Sequence, residues 1–300
     1  MNNISPQKKA TTIATSVASF LTLLKLVIAI TSGSVAVLAS AVDSLLDTAI
    51  SVFNFFAIKK SEEDANNEFQ YGKGKIQAIA SVIEGTVISV SGLFVIYKAI
   101  EKLISNSASS MITASILVMI VSVIATFFLV RYLGAVAKKT DNIVIKADAT
   151  HYKTDLYSNI AVLLSLLIIA VSGLEWVDGI FGLAIGIYIV YSAYDIIKVG
   201  IEILLDRALD GEMVAKIAEI ISKQPNTTSY HWLKTRTDGS TNFVEFHLVL
   251  KPNMTLHEAH GISDDIEDKI RDLNPKKRWL ITPHYDPYDD ENINEISLHG

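Results

Sequence analysis

Apolar residues fall along this chain in two different rhythms. Up to about Val199 they run in long stretches: Thr11–Ser32, Val35–Ile58, Gln77–Ile100, Met111–Ala135, Ile145–Val171 and Trp176–Val199. Each stretch is close to the ~20 residues that a helix needs to cross the hydrocarbon core of a bilayer. The second and fifth reach that length only if the bilayer tolerates carboxylates inside them. The pattern predicts six membrane-spanning helices over residues 1–208.

After Leu209 the rhythm shortens. Met213–Ser222 reads as an amphipathic helix, with Val214, Ile217, Ile220 and Ile221 along one side. Tyr230–Thr237 and Asn242–Leu250 alternate as strands do, and Asp238–Gly239 between them supplies the positive φ of a tight hairpin turn. Thr255–Leu273 returns to helical spacing through Leu256, Ile262, Ile266 and Ile270, and Arg278–His284 reads as a last strand. The order α-β-β-α-β predicts a small open sheet with helices on one face, an α+β unit over residues 209–300. The tail from Asp289 is acidic and polar and is expected to be disordered.

Composition fits this division. Half of the 300 residues are hydrophobic and 19% are charged, an apolar excess that a soluble chain of this size does not need. The net charge of −6 comes without any basic tract, so no nucleic-acid partner is expected. Cysteine is absent, which excludes disulfides, thiolate zinc sites and cysteine nucleophiles. Any metal would be held by His, Asp and Glu. The run from about Ile13 to Ile30 exceeds a signal-peptide core, and no cleavage site follows it.

Flanking charge sets the orientation. Lys8, Lys9, Lys59, Lys60, Lys73, Lys75, Lys138, Lys139, Lys146 and Lys198 would share one side. Lys98, Lys102, Glu175 and Asp178 would face the other. The basic side is expected to be cytoplasmic, and an even number of spans places both termini there. Lys25 lies within the first span, where it would snorkel or pair with a carboxylate.

A charge at mid-bilayer costs roughly 2.5–3.5 kcal/mol even on lenient insertion scales. The second stretch nonetheless carries Asp43 and Asp47, and the fifth carries His151 and Asp155. Each pair is spaced i, i+4 and so shares a helix face; Asn159 continues the second face. Two such faces meeting would present three carboxylates and one imidazole to one point. That donor set suits Zn²⁺, and also Fe²⁺, Mn²⁺, Co²⁺ or Cd²⁺. The same groups can take up protons when a metal leaves, which makes metal–proton exchange natural chemistry. Polar helix packing, or a proton or Na⁺ pathway, would use similar residues, although the imidazole disfavours Na⁺.

His231, His247, His257, His260 and His284 crowd the soluble part, with Asp286 beside the last. This density also favours metal over ordinary surface histidine. His257-Glu-Ala-His260 is not a zinc-protease helix, which needs histidines at i and i+4. No nucleophile or general base is assembled beside an open metal site, so no enzyme is expected.

Five motifs, in order, complete the pattern: Ser40-Ala-Val-Asp43-Ser-Leu-Leu-Asp47; Tyr71-Gly-Lys-Gly-Lys75; Ala149-Thr-His151-Tyr-Lys-Thr-Asp155-Leu-Tyr-Ser-Asn159; Asp178-Gly-Ile-Phe-Gly-Leu-Ala-Ile-Gly; and Leu205-Asp206-Arg207. With them the chain resembles, over residues 10–288, the cation diffusion facilitator family of metal/proton antiporters, in particular its bacterial zinc and ferrous-iron exporters. The resemblance implies a homodimer of six-span subunits in the inner cell membrane, each with a cytoplasmic ferredoxin-like (metallochaperone-like) domain. It implies export of Zn²⁺, or of Fe²⁺, Cd²⁺ or Mn²⁺, by alternating access against protons, through Asp43, Asp47, His151 and Asp155. It further implies an inter-subunit charge interlock of Lys73 with Asp206. A pair of structural or regulatory zinc ions would sit in the cytoplasmic domain on His231, His247, His260, His284 and a bridging Asp286; His257 has no counterpart. Relatives also bind metal in the loop between spans two and three. The matching positions here are Asp64, Asn67 and Tyr71, so that site is expected to be absent or very weak. A membrane-anchored metal sensor without transport is the competing reading.

Overall fold

The computed structural model describes residues 5–32, 35–105, 112–172 and 176–289. The expected tail beyond residue 289 lies outside these residues, as do the side chains of Lys25 and Asp43. The chain divides into two units, Met1–Ile201 and Glu202–Gly300, considered in turn.

The first unit consists of long helices: α1 (Pro6–Ser32), α2 (Val35–Ser61), α3 (Ile76–Ser105), α4 (Ile112–Thr140), α5 (Ile143–Ser172) and α6 (Trp176–Leu204), the last running on into the second unit. Among the described residues, three segments are long and apolar enough to cross a membrane by length and composition: Ile76–Glu101, Ile120–Thr140 and Gly179–Leu204. In α2 and α5 the apolar run is interrupted by Asp43, Asp47, Asp148 and Asp155. Helix α1 packs on α2 and α4, α4 on α5, and α3 on α2 and α5.

Hydrogen bonds fix these packings at the polar ends. Gln77 on α3 donates to Ser61 Oγ at the end of α2, at 2.8 Å. Asn142 donates to Gln77 Oε1 at 3.1 Å, while its own Oδ1 caps α5 by accepting from the amide of Ile145. One glutamine thus ties the end of α2 to the starts of α3 and α5.

Packing of α3 on α6 depends on small residues. A Cβ added to Gly186 would stand 2.5 Å from Ile96 Cγ1 and 3.1 Å from the carbonyl oxygen of Gly92; one added to Gly92 would meet Ile189 and Val190 at 2.8 and 2.9 Å. Close backbone approach of this kind is how helices associate where lipid removes the hydrophobic drive. It gives the glycines of the Asp178-Gly motif a packing role, beside an apolar cluster of Ile88, Ile189 and Ala193.

In the second unit, α7 (Gly211–Ser222), β1 (Thr227–Thr237), β2 (Thr241–Leu250), α8 (Leu256–Leu273) and β3 (Arg278–Asp286) follow the expected order. The sheet order is β1-β2-β3. The β1–β2 hairpin is antiparallel, and β2 and β3 are parallel across the α8 crossover. Asp238 closes the hairpin: its Oδ1 accepts from the amides of Ser240 and Thr241 at 2.8 and 2.7 Å, and Gly239 takes φ 97°. Thr255 and Glu258 form a reciprocal capping box at the start of α8.

Strand alternation sorts the sheet faces. Val244, Phe246, Leu248 and Leu250 of β2 pack with Ile217 and Ile221 of α7 and Ile266 and Ile270 of α8. Trp279, Ile281 and Tyr285 of β3 join the same core. Both helices therefore cover one face, and His247, His284 and Asp286 project from the other.

Candidate metal sites

Inside the helical unit, α2 and α5 bring one of their i, i+4 faces together. His151 Nε2 lies 3.1 Å from Asp47 Oδ1 and 3.7 Å from Asp155 Oδ2. One ligand atom from each of the three lies within 4.8 Å of the others. A tetrahedral ion bound at about 2.0–2.2 Å keeps its donors ~3.4 Å apart, so small rotamer adjustments would bring the trio into coordination. His151 is buried and both aspartates are partly exposed. Asp43 is placed one turn before Asp47 on α2, but its side chain lies outside the described residues. The next turn holds the two helices in register: Ser51 of α2 and Tyr152 of α5 share a 2.7 Å hydrogen bond.

The soluble unit builds its cluster by strand register. His231 pairs with His247 across β1–β2, and His247 pairs with His284 across β2–β3. Three imidazoles therefore stand in one row across the sheet. Ring centroids are 5.0 Å apart for the first pair and 4.4 Å for the second. Asp286, two residues past His284 on the same face, closes the row. Its Oδ2 lies 2.8 Å from His247 Nδ1 and 3.4 Å from His231 Nε2, and its Oδ1 lies 3.3 Å from His284 Nε2. A bulge in β1 directly follows His231, with Trp232 at φ 52°. One carboxylate that touches three imidazoles through both of its oxygens is well shaped to share cations among them.

The remaining predicted residues are placed as follows. His260 lies on α8, which packs on the opposite, core-covered face of the sheet. It is well exposed and faces Asp264 at 3.8 Å, so the chain does not bring it to the histidine row. His257 is exposed on the same helix. Asp64, Asn67 and Tyr71 are exposed in the loop after α2. Within the chain, Lys73 pairs with Glu63 at 3.0 Å and Asp206 with Arg236 at 3.4 Å. Hydrogen bonds from Lys60 and then Lys73 hold the Glu63 carboxyl below its ordinary range.

Three further polar residues beside the α2–α5 cluster are buried and carry no motif of their own: Asn54, Glu84 and Asp148. Glu84, a lone carboxylate in an apolar stretch, is as costly there as Asp43 and Asp47. It has no i, i+4 partner to mark it in the sequence.

A helical unit with segments long and apolar enough to cross a membrane, and a small α+β unit, each with a His–Asp cluster of ligand dimensions, suit a metal-ion transporter. Sequence comparison agrees. The cation efflux transmembrane domain matches residues 11–205, and the cytoplasmic domain of cation efflux proteins matches residues 209–288. Cation-efflux pump FieF of Escherichia coli, from strains E24377A and K12 / DH10B alike, is 34% identical over 284 residues, spanning 93% of this chain and 92% of the relative. The chain belongs to the cation diffusion facilitator family, whose members are membrane transporters of divalent cations.

Proposed function

We propose that this protein exports a divalent transition metal, principally Zn²⁺, from the cytoplasm in exchange for protons. The observation that carries this reading is the meeting of Asp47, His151 and Asp155 between two long helices. Asp43, one turn before Asp47 in sequence, is taken as the fourth member of the set on the family resemblance. Three carboxylates and an imidazole favour a first-row cation over an alkali ion, and affinity order places Zn²⁺ above Fe²⁺ and Mn²⁺; Cd²⁺ fits the same donors. When metal departs, the four groups offer sites for protons, so uptake and release of the two cations are opposed.

Six spans, α1 to α6, would place both termini and the soluble unit in the cytoplasm. The concentration of lysines at one set of helix ends supports this, and a bacterial inner membrane fits the named relatives. The subunit works as a homodimer, in which Lys73 and Asp206 exchange their partners within the chain for each other across the interface. In the soluble domain His231, His247, His284 and Asp286 hold regulatory zinc. His260 stays in this set on family resemblance and would need a rearrangement of α8 or the partner subunit to reach it. The Asp64 loop site is absent or very weak.

Reconstitution in liposomes tests the reading. With a metal-sensitive dye inside, an imposed pH gradient is expected to drive Zn²⁺ flux, and collapsing the gradient to stop it. A protein that binds Zn²⁺ but passes none under any gradient is a sensor instead.

A further inference from the structure

Close to the α2–α5 cluster, Asn54 of α2, Glu84 of α3 and Asp148 of α5 converge in the helical interior. They are among the most deeply enclosed polar side chains of the unit, with exposures of 0%, 1% and 0%. Asn54 Nδ2 donates to Glu84 Oε2 at 3.0 Å. Asp148 lies near the Asn54 amide and within electrostatic range of Glu84. Four oxygens are nevertheless left without a hydrogen-bond partner in the structure: Asn54 Oδ1, Glu84 Oε1 and both carboxylate oxygens of Asp148. The other charged groups felt by the two carboxylates are His151 and Asp47, which belong to the neighbouring cluster.

Two enclosed carboxylates with orphaned oxygens are strongly unfavourable as charges unless a cation or a proton neutralises them. Such a cost makes a merely structural role a poor account of the trio. Its donors are all oxygen, the hard set that suits Mn²⁺-like divalent ions and holds a Zn²⁺-like ion less tightly than a set containing imidazole.

Position along the helices gives the trio a direction. Asn54 lies seven residues past Asp47, about 10 Å along α2, and Asp148 lies three residues before His151, about 4.5 Å along α5. Both displacements run toward the helix ends tied together by Ser61, Gln77 and Asn142, the end that carries Lys59 and Lys60. We propose that Asn54, Glu84 and Asp148 form a second intramembrane site for a divalent cation, a weak all-oxygen station between the basic end of the helices and the Asp47–His151–Asp155 cluster. An ion entering from that end meets oxygen donors first and then passes to the tighter imidazole-containing set. The station's place on a transport route rests on the tetrad being the transport site; its ability to bind a cation does not.

Mn²⁺ bound to the full-length protein in detergent, counted by loss of its aqueous electron paramagnetic resonance signal, tests the site. The Glu84→Gln/Asp148→Asn variant is expected to bind one Mn²⁺ fewer per chain than the unsubstituted protein. Asp47→Ala/His151→Ala is expected to retain that ion, which separates failure of this site from failure of the tetrad. An unchanged count in the first variant overturns the proposal and leaves a proton as the pair's counter-ion. Should that variant not give a monodisperse protein, Asn54→Ala, which keeps both carboxylates, carries the test: weakening of Mn²⁺ binding by threefold or more is expected, and unchanged affinity overturns the site.

Discussion

The imidazole Nε2 of His151 stands 3.1 Å from Oδ1 of Asp47, although 104 residues of chain separate them. Each residue alone would be costly inside an apolar helix. Their contact gives each of the two costly residues a partner and shows which faces of α2 and α5 look at each other.

Substitution in the soluble cluster should follow a rank order set by geometry. Asp286 touches all three histidines of the row, His247 is the central imidazole, and His260 is exposed elsewhere. Asp286→Ala and His247→Ala are expected to weaken Zn²⁺ binding to the soluble domain by about 10- to 100-fold or more, the range seen even for supporting residues of metal sites. His260→Ala should have a smaller effect. Calorimetric titration of the three variants checks the order.

The loop after α2 should be silent. Asn67 and Tyr71 are weak donors, and only Asp64 is a ligand of the ordinary kind. Asp64→Ala is expected to leave the number of bound metal ions unchanged in an equilibrium dialysis count.

Gly186 and Gly134 offer a matched pair. Gly186 faces Ile96 and the backbone of Gly92 at distances that no Cβ can occupy without a shift, whereas nothing lies within 4 Å of a Cβ on Gly134. Gly186→Val is expected to cost about 1–3 kcal/mol, the usual range for overpacking. Gly134→Ala should be neutral or slightly stabilising, since alanine is the better helix former. Thermal denaturation of the two proteins in the same detergent separates these outcomes.

One carboxyl gives a pH signature to the soluble unit. Hydrogen bonds from the Thr255 backbone and then its side chain hold Glu258 below the ordinary glutamate value. Because the folded value is depressed, the stabilisation is fully present above the ordinary value near 4.3. It is lost as pH falls through the depressed one. Glu258→Gln keeps the capping geometry without the charge. Its amides in the first turn of α8 should be less protected from hydrogen exchange than those of the unsubstituted protein at neutral pH, and the difference should vanish in acid.

Much of this architecture could be read from hydrophobic spacing. The soluble elements fall close to their expected ends, because amphipathic period and turn chemistry at Asp238–Gly239 and Thr255 are local signals. Asp47, His151 and Asp155 stood out because charge inside an apolar run is costly wherever it occurs. Relations that depend on register or on a third helix were not legible. Nothing local says that His231, His247 and His284 pair directly across three strands, since register is set by the bulge after His231 and by the crossover through α8. For the same reason His260 looked equivalent to the others, although its helix packs on the opposite face of the sheet. Glu84 and Asp148 belong to different helices and gain meaning only when α3 brings Glu84 beside Asn54.

Metal flux through the Asp47→Ala variant tests the central claim most directly. In liposomes loaded with a metal-sensitive dye and given a pH gradient that drives Zn²⁺ flux through the unsubstituted protein, Asp47→Ala should reduce flux to that of protein-free liposomes. Zn²⁺ flux comparable to the unsubstituted protein would contradict the assignment of the Asp47–His151–Asp155 cluster as the transport site.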